Sequence, residues 1–394
     1  FDGVDGRRIA EDTLTLVNIP SVTGDTRRIA DRYEQMLMDA GCQVTRYELI
    51  PRNPTLVAVY GGERPGKTLL FNGHMDTIPL PHDPPLMKDG RVYGRGACDM
   101  KGSLACFLEV ARFLQGCGKP LRGKVMLVAN SLHESPGGRG EDLYALFEQT
   151  ELRADACVVM EGATRDCPIA QFGSATFEIT IIREGEPSHQ LLTPPGTPHP
   201  ASVAAEIIRR LDDMNIELER RYIEDIGYAS YFIGSVHSGQ FYNQHPNRAV
   251  LSGVRRYGPE DDYDAVQQEL RSALDQIAGR YGVDIRLDFE KVRDGYRIDK
   301  HGEAVKSLVA AVRKVRGFDL PLVGKKIVTD AGIFASHSIP ALCHGPDNSS
   351  AHGDVEYVEI SELELTANVY VQLLEEFGLL AGEEEEAEQP WNAS

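Results

Sequence analysis

Three short apolar runs, residues 68–72, 125–129 and 156–160, lead straight into His74, Glu134 and Glu161, side chains that can bind a cation or move a proton. Runs of this length bounded by polar and glycine-rich stretches predict buried strands. Between the first two lies residues 101–114, where Leu104, Phe107, Leu108, Ala111 and Leu114 share one helical face. Buried strands alternating with amphipathic helices confine the chain to an α/β sheet. In such sheets the carboxyl ends of the strands gather along one edge, and sites form there. Residues far apart in sequence are therefore expected to meet.

A second pattern interrupts the first. Residues 175–182 and 283–289 alternate apolar and polar, as half-exposed strands do. Residues 200–214 and 263–281 read as helices, with a further strand at 250–256. That order predicts a small α+β domain inserted into the first. The expected division is a discontinuous catalytic domain, 1–173 with 290–394, carrying a mixed sheet flanked by helices, and an inserted domain at 174–289. Near the start, Asp25 is expected to cap a helix through Ile29, Tyr33, Met36, Leu37 and Ala40 that stops at Gly41.

Charge narrows the partners. The 394 residues carry 41 basic and 60 acidic side chains, a net charge of −19, which disfavours nucleic acid and anionic membrane. The acidic run Glu383 to Glu386 with Glu388 reads as a solvated terminus. No apolar run reaches bilayer length. The seven cysteines, an odd number without zinc-ribbon or redox spacing, predict reduced thiols and a cytoplasmic protein. Cys98 abuts Asp99 but reads as a small buried filler.

The chemistry rests on few residues. His74 is followed by Asp76, and Asp99 sits in the glycine-flanked turn 94–102. One imidazole nitrogen and carboxylate oxygens suit a borderline divalent cation, with Asp76 placed to orient the His74 ring.

Taken together, Gly73-His74-Met75-Asp76-Thr77, the turn 94–102, Ala351-His352 and Glu356-Tyr357-Val358 resemble the M20 family of metallopeptidases and aminoacylases, which includes carboxypeptidase G2-like and succinyl-diaminopimelate desuccinylase-like enzymes. Weaker matches are residues 185–189, Asn243, Pro246, Arg255 and Thr329-Asp330-Ala331. The resemblance implies a zinc-peptidase-like catalytic domain with a lid and dimerisation domain. It implies His74, Asp99 and Glu161 as ligands of one metal, with Asp99 bridging to a second ion that His352 also holds. Glu134 becomes the general base, and His189 a lid histidine that reaches a partner's site in dimeric members. Arg255 and Asn243 match lid positions that touch substrate.

One departure shapes the expectation. Where the family has two adjacent glutamates before a glycine pair, this chain reads Glu134-Ser135. Serine is a poor ligand, so one tightly bound Zn or Mn ion per chain is expected. A shift of one residue would instead make His133 the base and Glu134 a ligand. The expected reaction is hydrolysis of a C–N bond in a small carboxylate-bearing molecule by a homo-oligomer, a dimer or larger. Two alternatives stand beside it: release of ammonia from an aminobenzoate, as in the 5-nitroanthranilate aminohydrolase branch, and a non-catalytic binding homologue.

Overall fold

The computed structural model describes residues 3–134, 136–325 and 328–380. Ser135 and the acidic run Glu383 to Glu388, on which two expectations rest, lie outside the described residues. The chain forms two compact units. One comprises Phe1–Ile169, Ile298–Val323 and Thr329–Ser394; the other comprises Ala170–Arg297 and Gly324–Val328.

The first unit is built on a six-stranded sheet in the order Gln43–Ile50, Asn53–Gly61, Lys124–Asn130, Thr68–His74, Ala156–Val159, Ala341–Cys343. The last four strands run parallel, and the first two pair antiparallel at one edge. The strands Lys124–Asn130 and Thr68–His74 are buried along almost their whole length, which is why they read as continuous apolar runs and not as alternating ones. Helices Gly6–Val17, Gly102–Gly116, Glu303–Arg316 and Ile360–Glu376 pack against one another in this unit. Phe71 joins strand to helix, its ring 5.6 Å from Phe107 and 5.0 Å from Tyr370. Each such side chain contributes about 1.5–3 kcal/mol on burial.

The helix expected after Asp25 spans Arg27–Asp39, but its N-cap is Thr26, with no side-chain cap bond. Asp25 instead accepts from the guanidinium groups of Arg27 and Arg52 at 2.7 and 2.9 Å. Its Oδ1 accepts from the Arg27 backbone N–H only at 3.4 Å, because the two neighbouring cations claim the carboxylate more strongly. Gly41 does stop the helix, at φ +87.

The second unit holds a four-stranded antiparallel sheet in the order Ser230–Ser238, Arg248–Tyr257, Gly173–Ile182, Asp284–Arg293. The last strand alternates, placing Ile285, Leu287 and Phe289 in a core shared with helices Pro200–Leu218 and Tyr263–Tyr281. The expected α/β class, with a mixed sheet flanked by helices, is what the structure shows. Among the described residues no helix is long and apolar enough to cross a membrane, and all seven cysteines are free.

Candidate metal centre

The parallel strands end level with one another. His74 pairs with Asn130 across the sheet, so the segment 131–134 leaves beside the His74 ring. Glu161 follows the neighbouring strand Ala156–Val159, and Met160 N–H donates to the Asn72 carbonyl at 2.9 Å. Asp99 lies in the tight turn Ala97–Lys101 that opens helix Gly102–Gly116. His352 comes from the loop between strands Ala341–Cys343 and Tyr357–Glu359.

His74 is buried and held at both nitrogens. Nδ1 lies 2.9 Å from the Asp76 carbonyl and 3.3 Å from its carboxylate, and Nε2 lies 3.1 Å from Asp99 Oδ1. Asp76 is fully buried and ties the loops together. Its Oδ2 accepts from Thr23 Oγ1 at 2.8 Å and from the backbone N–H groups of Glu134 and His133 at 2.9 and 3.1 Å. Glu356 does the same for the Asp99 turn. Its Oε1 accepts the N–H groups of Cys98 and Asp99, each at 3.2 Å, while Arg95 pairs with Oε2 at 2.9 Å. Cys98 is buried beside it, as expected of a filler.

Two groups of donors result. His74, Asp99 and Glu134 form one; His74, His133 and Glu161 form the other, with the donor atoms in each within 4.8 Å of one another. His352 Nε2 joins the first, 3.2 Å from Asp99 Oδ2 and 3.3 Å from Glu134 Oε1. The sequence left a second ion with Asp99 and His352 alone, because alignment on the glycine pair put Ser135 at the third place. In the structure Glu134 itself faces His352, in a turn closed by Gly138 N–H on the Glu134 carbonyl at 2.7 Å. His133 would be the base under a one-residue shift of the alignment. It stacks on His74 with ring centroids 4.1 Å apart, and its Nδ1 lies 2.9 Å from Asp330 Oδ2. The only sequence signal for Asp330 was the weak Thr329-Asp330-Ala331 match.

The residues fit a divalent cation. Glu161 Oε2 is buried and has no hydrogen-bond partner among the described residues, an arrangement that is costly unless something positive comes to it. Burial raises the Glu161 and Glu134 carboxyls above the usual carboxylate range. Burial opposes charge on His74, but its hydrogen bonds to the Asp76 and Asp99 carboxylates outweigh it and raise the imidazole well above its ordinary value. His352 is lifted to about 9, chiefly by its hydrogen bond to Asp99. A divalent ion takes the place of such protons, and its binding releases them.

The other candidates lie in the second unit. His189 is exposed on the short strand Ser188–His189, and its Nε2 lies 3.3 Å from Asn243 Nδ2. Arg255 is buried in mid-strand, its guanidinium 4.4 Å above the Tyr231 ring and 3.6 Å from Glu269. With Glu269, Asp261 and Asp262 it lines a cavity of about 250 Å³ within this unit. Of the side histidines, His344 is buried with Nδ1 donating to the Ala163 carbonyl at 3.1 Å, and burial pushes its pKa down to about 3.

Known proteins supply the last observation. Residues 70–376 match the profile of Peptidase family M20/M25/M40. The succinyl-diaminopimelate desuccinylase of Alkalilimnicola ehrlichii is 29% identical over 366 residues, covering 86% of this chain and 94% of its own. That of Acidovorax ebreus is 27% identical, covering 94% and 98%. Among solved structures, aminopeptidase PepT from Bacillus cereus superposes with a TM-score of 0.81 at 20% identity, over 95% of this chain and 99% of its own. The Bacillus subtilis YXEP protein, described as a dinuclear metal-binding peptidase, gives 0.70 at 16% identity, over 95% and 98%. These two likenesses speak to the fold.

Proposed function

The chain belongs to the M20 peptidase family and is a metal-dependent hydrolase of C–N bonds, and from that premise we propose that it cleaves the amide of a small carboxylate-bearing substrate, an N-acyl or N-succinyl amino acid. The observation that carries this reading is a pair of donor groups at the sheet edge that share His74: one adds Asp99 and Glu134, the other His133 and Glu161. The desuccinylase relatives support an amide and lend nothing to the arylamine alternative.

In this reading His74, Asp99 and Glu161 hold one tight Zn or Mn ion, which when bound acidifies water and polarises a carbonyl oxygen. Glu134, its carboxyl raised by burial, takes the proton from the attacking water and returns it to the departing nitrogen. His352 donates a hydrogen bond to Glu134 and holds it in place. Asp76 fixes the His74 ring and the backbone of Glu134 at once. His189 polarises the reacting carbonyl from a neighbouring copy in a homo-oligomer, and Asn243 and Arg255 contact substrate. Seven free thiols favour a cytoplasmic setting.

The test is a panel of N-acyl amino acids, N-succinyl-diaminopimelate and aminobenzoates, assayed with the metal-stripped chain and after adding back Zn²⁺ or Mn²⁺. Metal-dependent release of an amino acid is expected. Ammonia from an arylamine, or turnover indifferent to chelation, overturns the proposal.

A further inference from the structure

His133 is held as a metal-binding histidine is held. Its Nδ1 lies 2.9 Å from Asp330 Oδ2, and Asp330 is almost completely buried. The same oxygen accepts from Asn130 Nδ2 at 3.1 Å, and Asn130 in turn accepts from Asn72 Nδ2 at 2.9 Å. A carboxylate fixed on Nδ1 keeps the proton there and makes Nε2 the nitrogen able to bind a cation, the arrangement that orients imidazole ligands. Parallel stacking on His74, with 8° between the rings, turns both imidazoles the same way.

The distance from His133 to Glu161 decides the matter. Nε2 lies 3.8 Å from Glu161 Oε1, too far for a hydrogen bond. It suits two ligands of one ion: donors each about 2.1 Å from a shared cation sit roughly 3–4 Å apart. The other Glu161 oxygen is buried without a hydrogen-bond partner among the described residues.

We propose that His133 is a ligand of the tight cation, which His74, His133 and Glu161 hold together with Asp99 alongside, and that Asp330 is its positioning residue. The proposal rests on the metallohydrolase reading and deepens it. Glu134 belongs to the other donor group, with His74 and Asp99, and pairs with His352, so this assignment leaves it to move protons. Adding a nitrogen donor to a carboxylate-rich site shifts its preference towards Zn²⁺ or Co²⁺ and away from harder ions such as Mg²⁺ or Mn²⁺.

The experiment uses the full chain, stripped of metal and reloaded with one equivalent of Co²⁺ or Zn²⁺. Affinity is read by competition with a chelating dye, and the number of bound imidazoles by X-ray absorption. His133→Gln is expected to bind at least ~10²-fold more weakly and to show one imidazole fewer; Asp330→Asn is expected to keep the imidazole count and lose ~10–100-fold in affinity. If His133→Gln does not fold, the Asp330→Asn affinity decides. Unchanged affinity and imidazole count in His133→Gln, or unchanged affinity in Asp330→Asn, overturns the ligand assignment and leaves the hydrolase reading intact. A wild-type chain that binds neither ion overturns both.

Discussion

The two units treat their reactive side chains in opposite ways. In the first, parallel strands stop at one edge, and His74, Glu134 and Glu161 leave three neighbouring ends into a buried cluster. In the second, the sheet is antiparallel, and its strands pass functional candidates to different places. Arg255 is buried in mid-strand under Tyr231, while His189 stands exposed on a two-residue strand beside Asn243. A parallel edge concentrates chemistry by topology alone. An antiparallel sheet does not, and its candidates stay apart.

The sharpest way to break this contrast is Glu134→Gln, which keeps the shape and removes the proton acceptor. Turnover is expected to fall by at least ~10²-fold, and by up to ~10⁴-fold, with metal content unchanged. Near-normal turnover would take the proton-moving step away from the sheet edge.

His189→Ala is expected to cost about 10²-fold in turnover while leaving metal binding alone. Whether the second unit serves a neighbouring copy is then read by mixing. Each variant, Glu134→Gln and His189→Ala, is nearly inactive alone. If His189 serves the adjoining copy, a reassociated mixture regains roughly a quarter of wild-type activity, since half of the dimers are mixed and each has one complete site. A mixture as inactive as its components would place His189 with its own chain's site, or nowhere in catalysis.

The smallest effect belongs to a buried acid of the first unit that lies off the edge. Asp142 is fully buried, and its Oδ2 accepts from Ser131 N–H at 2.6 Å and Thr55 Oγ1 at 3.0 Å, while Oδ1 has no hydrogen-bond partner among the described residues. Burial pushes its pKa from 3.8 to about 7. A raised carboxyl stabilises the fold below the unfolded value and loses that contribution as pH rises through the folded one. Wild-type stability should therefore fall between about pH 4 and 7 relative to Asp142→Asn, and the gap should stay level above. Parallel unfolding curves across that window would remove Asp142 from the account. No change in turnover is expected.

Much of the fold was legible because continuous apolar runs and period-two runs mark buried parallel and half-exposed antiparallel strands. The helix expected over 263–281 is Tyr263–Tyr281. The positions of His74 and Glu161 were legible for the same reason, since they stand where those runs end, and Asp99 was placed by the glycines that flank its turn. What failed was local and electrostatic. The cap at Asp25 moved to Thr26 because two arginines compete for the carboxylate. Glu134 faces His352 because Asp76 draws in the backbone N–H groups of both His133 and Glu134, a constraint 57 residues away that no spacing rule reveals. Asp330 carried only a weak motif match, which gave no hint of its pairing with His133.

The Glu356 carboxylate, which receives the backbone of Cys98 and Asp99, comes from nearly the last stretch of described chain. During synthesis the Asp99 turn therefore emerges long before the group that steadies it. Until Glu356 has been made, the Cys98 and Asp99 N–H groups lack the carboxylate that receives them in the folded chain.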